Sequence, residues 1–197
     1  STMSRFLSKL GREHWNTLKW ILRYLRGTSD LKLCFGSEKL VFTSYTDADM
    51  AEDVDTRKST SGYLITFTRG TVSWQYRLQK CVALSTTEAE FVATTEACKE
   101  LLWLKKFLRE LGCSQERYRL LCDSQSAIHL GKHPTFHSKS KYIVVRYHWL
   151  HDVLDEKLIE LEKAHTNGNG ADMMTKSLLR WKFEVCCSLV GMASSST

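Results

Sequence analysis

Trp15, Leu18, Leu22 and Leu25 recur at helical spacing through GREHWNTLKWILRYLRGT, and Gly27 offers a stop, so this stretch is predicted as an amphipathic helix. Its other face carries Arg12, Lys19, Arg23 and Arg26, which suits solvent or a phosphate backbone. Short β-type runs follow: LKLCF, LVFTSYT, GYLITFT and TVSWQY. The last two are expected to join at Arg69–Gly70 as a hairpin, with KCVAL continuing or following the strand. A long helix is predicted from about residue 86 to near Gly112. RYRLLCD then reads as a strand, SQSAIHLG as a short helix and VRYHWLHDVLDEK as a longer one. LIELEKAHT returns as a strand, NGNG is a loop, and ADMMTKSLLRWKFEVCCSLV is helical. This order predicts a mixed α/β fold with helices packed on a sheet.

Hydrophobic residues make up 43% and charged residues 25% of the 197, an ordinary globular composition. The longest apolar clusters, such as LLWL, are far too short to span a bilayer, so no membrane association is expected. No charged start with an apolar core precedes a cleavage site, and secretion is not expected. Lys plus Arg number 28 against 22 acids, a formal +6, which permits nucleic-acid binding. Residues 1–46 hold eight Lys/Arg and three Asp/Glu, so the opening segment carries most of the excess. The seven cysteines form no C-x-x-C pair. They read as reduced, buried thiols of an intracellular protein.

Against this basic background, YTDADMAED places Asp47, Asp49, Glu52 and Asp53 within seven residues, directly after a strand. Such crowded like charges call for a cation or for solvent. An EF-hand is rejected, because Ala51 and Glu52 stand where the fifth ligand and the glycine belong. Ser85-Thr86-Thr87-Glu88 fits a capping box, which gives Glu88 a structural task. Glu90 instead heads a stripe of Thr94, Ala97, Leu101, Leu104 and Leu108 that should face the sheet. A carboxylate there needs a partner. Asp123 ends RLLCD, and Asp172 opens the last helix. If the strands ending at Asp47 and Asp123 are parallel neighbours, both acids emerge at one edge, where α/β sheets collect catalytic groups. Four acids could converge there, and oxygen-only ligation suits Mg²⁺. Plainer readings stay open: Asp123 with Ser124, Asp172 or Asn169 could each be a helix N-cap. His133 and His137 have zinc-like spacing without an upstream cysteine pair, and no zinc is expected. His148 and His151 share a helix face and suit packing or surface positions. G-x-S-x-G, P-loop and G-x-G-x-x-G motifs do not occur.

Taken in order, YTDADMAED, RKSTSGYLITF, VSWQYRLQKCVALSTTEAEFVATTEACKELLWL, CDSQSAIHL, YHWLHDVL and HTNGNGADMMTK resemble the RNase H domain of Ty1/copia-type retrotransposon Pol polyproteins, of the plant copia-like kind. The match covers roughly residues 40–192. MSRFLSKLGREHWNTLKWILRYLRGTSDL looks like the segment that joins the reverse transcriptase to that domain. The resemblance implies a C-terminal piece of a polyprotein, with a helical connection segment over 1–30, an RNase H-like domain over 31–193 and a disordered tail over 194–197. The implied fold is α/β and RNase H-like, a five-stranded mixed sheet with helices on both faces. The implied activity is Mg-dependent endonucleolytic hydrolysis of the RNA strand of RNA/DNA hybrids during reverse transcription.

Carried over residue by residue, the catalytic acids and metal ligands fall on Asp47, Glu90, Asp123 and Asp172, and His165 lies near the place of a proton-shuttling histidine. Two Mg²⁺ ions about 3.5–4 Å apart are implied, with Mn²⁺ able to substitute. One would lower the pKa of the attacking water and the other would stabilise the leaving 3′-oxygen. Arg57, Lys58, Lys139 and Lys141 are the candidates for positioning phosphates. The implied partners are an RNA/DNA hybrid and the reverse transcriptase of the same polyprotein, in a cytoplasmic virus-like particle or the nucleus. Asp49 is expected as a loop or supporting group and Asp53 as a solvated one. The chain order D…E…D…D argues against an integrase-like relative, where the glutamate comes last.

The chain also departs from the family pattern. Met50 stands where the family usually has tryptophan and Glu52 where it has glycine. YIVV replaces HIDV at 142–145, and Leu10 and Leu179 replace prolines. Glu52 would add negative charge near the metals. This scatter supports an alternative, a catalytically decayed remnant that folds and binds nucleic acid without turnover.

Overall fold

The computed structural model describes residues 11–36, 41–53, 55–132 and 141–194, without the side chains of Lys141 and Tyr142. Expectations for Leu10, His133, His137, Lys139, the Lys141 side chain and residues 195–197 lie outside the described residues. The described chain divides into two units, one of residues up to Lys32 with Ala193 and Ser194, the other Leu33–Met192. In the first, α1 (Arg12–Gly27) is the expected amphipathic helix, yet none of its residues is buried. Lys19 and Arg23 instead lie over the rings of Trp15 and Trp20, at 5.7 and 4.9 Å. Two short strands, β1 (Leu31–Leu33) and β7 (Met192–Ser194), pair with each other.

The second unit is built on β2 (Phe42–Asp49), β3 (Thr60–Phe67), β4 (Gly70–Leu78), β5 (Tyr118–Cys122) and β6 (Glu160–Lys163), in the spatial order β4-β3-β2-β5-β6. β2 pairs antiparallel with β3 and parallel with β5, and β6 is parallel to β5. The sheet is therefore five-stranded and mixed. Its helices are α2 (Thr86–Glu110), α3 (Gln125–Lys132), α4 (Lys141–Asp155), α5 (Asp172–Thr175) and α6 (Arg180–Leu189).

Alternation along β2 assigns the two faces. Phe42 enters the main core with Phe91 and Leu101 of α2, Ile128 of α3 and Leu150 of α4. Tyr45 and Asp47 turn the other way: Tyr45 meets Gly170, and Asp47 meets Thr175 of α5. The close seat of α5 depends on Gly62, which pairs with Asp47 across β2 and β3. A Cβ there would lie 2.7 Å from Thr175 Cγ2 and 2.9 Å from the Met174 Cβ, so only glycine admits this approach.

Four expectations are corrected. The hairpin turn is Thr68–Arg69, both left-handed at φ 49° and 70°, and Gly70 already belongs to β4. KCVAL is not a strand. Gln79 anchors that stretch, its Nε2 donating to Ser61 Oγ and to the Ala89 carbonyl, each at 2.9 Å. The long final helix is split into α5 and α6 by an extended Lys176–Leu179 stretch, a break without glycine or proline to signal it. Finally, Cys34 and Cys113 are exposed, whereas Cys98, Cys122, Cys186 and Cys187 are buried as expected.

Candidate active site

β2 and β5 run in parallel register up to Thr46↔Cys122, so Asp47 and Asp123 follow at one edge of adjacent strands. Asp47 is 0% exposed. The Thr175 hydroxyl donates to its Oδ2, and Lys176 Nζ donates to its Oδ1 at 2.8 Å. Asn169 pins the loop before α5 to β2: its Nδ2 donates to the Thr46 carbonyl at 2.9 Å, and its Oδ1 accepts from Ala171 N at 3.1 Å. That loop delivers Asp172, 1% exposed, within 3.4 Å of Lys176 Nζ and in an ion pair with Lys182. Carboxylate oxygens of Asp47, Asp123 and Asp172 all lie within 4.8 Å of one another.

Glu90 comes from α2, heading the stripe of Thr94, Ala97, Leu101, Leu104 and Leu108, all of them buried. It is 9% exposed, and its Oε1 accepts from Ala48 N at 3.3 Å. Its Oε2 is buried with no hydrogen-bond partner among the described residues. Ligand atoms of Glu90, Cys122 and Asp123 form a second group within 4.8 Å, so Asp123 belongs to both groups.

The plainer readings of these acids do not hold. Ser124 caps α3 by accepting from Ala127 N at 3.2 Å, which leaves Asp123 without that task. Asp172 is the first helical residue rather than the cap. Glu88 is structural as expected, but it accepts from Leu84 N at 2.8 Å instead of closing a box on Ser85.

The electrostatics follow from crowding and burial. Burial first, then the charges of Asp47 and Asp123, push the Glu90 carboxyl up to about 8, against the Ala48 hydrogen bond. Burial also raises Asp47, although the bonds from Lys176 and Thr175 pull it down. For Lys176, burial opposes the ammonium, but the hydrogen bond and charge of Asp47 and the charges of Asp172 and Asp123 outweigh it and raise its pKa. The Cys122 thiol is pushed up to about 12, by burial and then by Glu90, so it remains a thiol among hard oxygens.

No family model matches the chain. The retrovirus-related Pol polyprotein from transposon TNT 1-94 of Nicotiana tabacum is 56% identical over 193 residues, 98% of this chain. The chain belongs to the retrovirus-related Pol polyproteins of Ty1/copia-type transposons. The Pol polyprotein from transposon RE2 of Arabidopsis thaliana is 33% identical over 192 residues, 96% of this chain. This Pol segment spans 14% and 13% of those two proteins. Among solved structures, LC11-RNase H1, isolated from compost by a metagenomic approach, is similar at a TM-score of 0.50 and 16% identity, over 69% of this chain and 93% of that one. The fold of the Pol segment is RNase H-like.

Other expected residues lie elsewhere in the Pol segment. Glu52 is in neither acidic group: its carboxylate accepts from the Thr60 hydroxyl and, at 3.4 Å, from the Tyr76 hydroxyl. Asp49 ends β2 half-buried. Asp53 is half-buried rather than solvated and closes a turn by accepting from Thr56. Arg57 sits in that turn, exposed and left-handed at φ 56°, beside a half-buried Lys58. His165 is exposed and accepts from Asn167 N at 3.3 Å, capping a short 3-10 turn. Four residues of the site were not singled out from sequence for it: Thr175, Lys176, Lys182 and Asn169, which was read only as a possible helix cap, a position that Ala171 takes instead. The one available signal was the i,i+4 spacing of Asp172 and Lys176.

Proposed function

We propose that this Pol segment is a ribonuclease H, a divalent-metal-dependent endonuclease that cuts the RNA strand of RNA/DNA hybrids beside the reverse transcriptase of its polyprotein. The observation that carries this reading is the gathering of Asp47, Glu90, Asp123 and Asp172 at one edge of an RNase H-like sheet. The donor set fits Mg²⁺ or Mn²⁺: hard carboxylate oxygens, with the buried Glu90 Oε2 left over for a ligand. Asp47, Asp123 and Asp172 would hold one ion, and Glu90 with Asp123 would reach a second. Bound ions of this kind lower the pKa of an attacking water and neutralise charge on the leaving 3′-oxygen.

The chain's own residues prepare that chemistry. Thr175 orients Asp47 from the α5 side, and Asn169 fixes the loop that presents Asp172. Ala48 N holds one oxygen of Glu90 so that the other points away from the backbone bond. Arg57 and Lys58 are assigned to substrate phosphates, with Lys139 and Lys141, and His165 to proton transfer. RNA would be told from DNA through groove shape and its 2′-hydroxyls. The decayed-remnant alternative leans on the whole scatter of departures from the family pattern; of these, Glu52 lies in neither acidic group and accepts from Thr60 and Tyr76.

The test is a labelled RNA/DNA hybrid incubated with the protein in Mg²⁺, beside duplex DNA and single-stranded RNA. Internal cuts in the RNA strand of the hybrid alone support the reading. An intact hybrid in both Mg²⁺ and Mn²⁺ supports the remnant.

A further inference from the structure

Two ammonium groups face the four acids among the described residues, and they are placed differently. Lys182 pairs with Asp172 alone, through Oδ2, and its side chain is 18% exposed. Lys176 Nζ is 2.8 Å from Asp47 Oδ1 and 3.4 Å from Asp172 Oδ1. It therefore bridges two of the three carboxylates whose oxygens lie within 4.8 Å of one another. Its side chain is 39% exposed and rises from the extended Lys176–Leu179 stretch, outside any helix. It is thus the more exposed of the two lysines.

We propose that Lys176 is a built-in counter-ion, which occupies the cation position between Asp47 and Asp172 in the metal-free protein and swings outward when a divalent ion binds. The proposal rests on the metal-dependent reading above. Direct ligation puts a divalent ion about 2.0–2.1 Å from a carboxylate oxygen. An ammonium hydrogen-bonded to the same Asp47 carboxylate would then stand beside that ion, where burial leaves little screening between like charges. One cation must leave, and the half-exposed lysine is the one on a mobile tether of four methylenes. Without Lys176, the buried Asp47 would lose its ammonium partner, while Asp172 would keep only Lys182. Lys176 thus makes the metal-free fold viable and sets a competition that weakens metal binding.

Two measurements on the full chain test this. In calorimetric Mg²⁺ titrations, Lys176→Met is expected to bind several-fold more tightly than wild type, while Asp47→Asn loses the binding. In amine acylation read by mass spectrometry, wild-type Lys176 is expected to label faster in Mg²⁺ than in EDTA, with the exposed Lys106 as an unchanged reference. The labelling uses only wild type, so it stands even if Lys176→Met does not fold. Asp47-dependent binding with Lys176 labelling unchanged or slowed in Mg²⁺, or with no tightening in Lys176→Met, would overturn the proposal and leave the metal reading intact. Wild type without Asp47-dependent Mg²⁺ binding would overturn both.

Discussion

A carboxylate with no exposed surface, as Asp47 has, stabilises a fold poorly, because its ionised form loses water that a partner only partly replaces. Asn at this position keeps the shape and removes the charge. Metal-free Asp47→Asn is therefore expected to melt no lower than wild type in EDTA and to lose the upward shift that Mg²⁺ gives wild type. Glu90 makes a pH prediction. Its carboxyl sits at about 8 in the fold against an ordinary 4.5, through burial and then the charges of Asp47 and Asp123. Between those values the folded state holds a proton that the unfolded chain has released, so metal-free stability falls as pH rises. The contribution is fully present below the unfolded value and lost as pH passes about 8. Urea unfolding in EDTA from about pH 5 to about pH 8 should show this fall in wild type and a flatter profile in Glu90→Gln. Glu90 was legible in sequence because a helical stripe shows which face is buried. Lys176 was not, because a lysine four residues after an aspartate looks like any surface pair.

Elements set by periodicity were the most readable. β5 alternates and α2 carries a 3.6-residue stripe, whereas β2 and β3 are nearly continuous buried runs, and β2 and β5 are the parallel neighbours that bring Asp47 and Asp123 to one edge. The break between α5 and α6 was hidden, because residues 176–179 contain neither glycine nor proline and what holds them in place lies far away in sequence. Two substitutions probe this region. Gly62→Ala would drive a Cβ against Thr175 and Met174. It is expected to cost about 1–3 kcal/mol by chemical denaturation and to impair cleavage, since α5 carries Asp172. Leu179→Pro goes the other way. Leu179 has φ −63° and is 71% exposed just before α6, a geometry proline shares. A gain of about 0.4–1 kcal/mol is expected in the same denaturation measurement, through a less flexible unfolded chain.

At the scale of the molecule, α1 buries none of its residues, while the RNase H-like sheet and its helices lie within Leu33–Met192. A chain starting at residue 31 is expected to keep the circular-dichroism spectrum and cooperative melting of that fold. Residues 1–30 contain six of the chain's 28 Lys/Arg and two of its 22 acids. Their removal should therefore weaken hybrid binding and shallow its salt dependence, read from affinities at several salt concentrations. The sequence pattern exposed the basic excess of this segment but not what its apolar face meets, since amphipathicity names a face and not a partner. Whether the four gathered acids constitute a nuclease is decided by cleavage of an end-labelled RNA/DNA hybrid in Mg²⁺, with wild type and folded Asp47→Asn side by side. Wild type is expected to cut the RNA strand internally and to stop in EDTA, with Asp47→Asn slower by at least about 10²-fold. Equal cutting by the two proteins, or a hybrid left intact by wild type, would contradict the assignment.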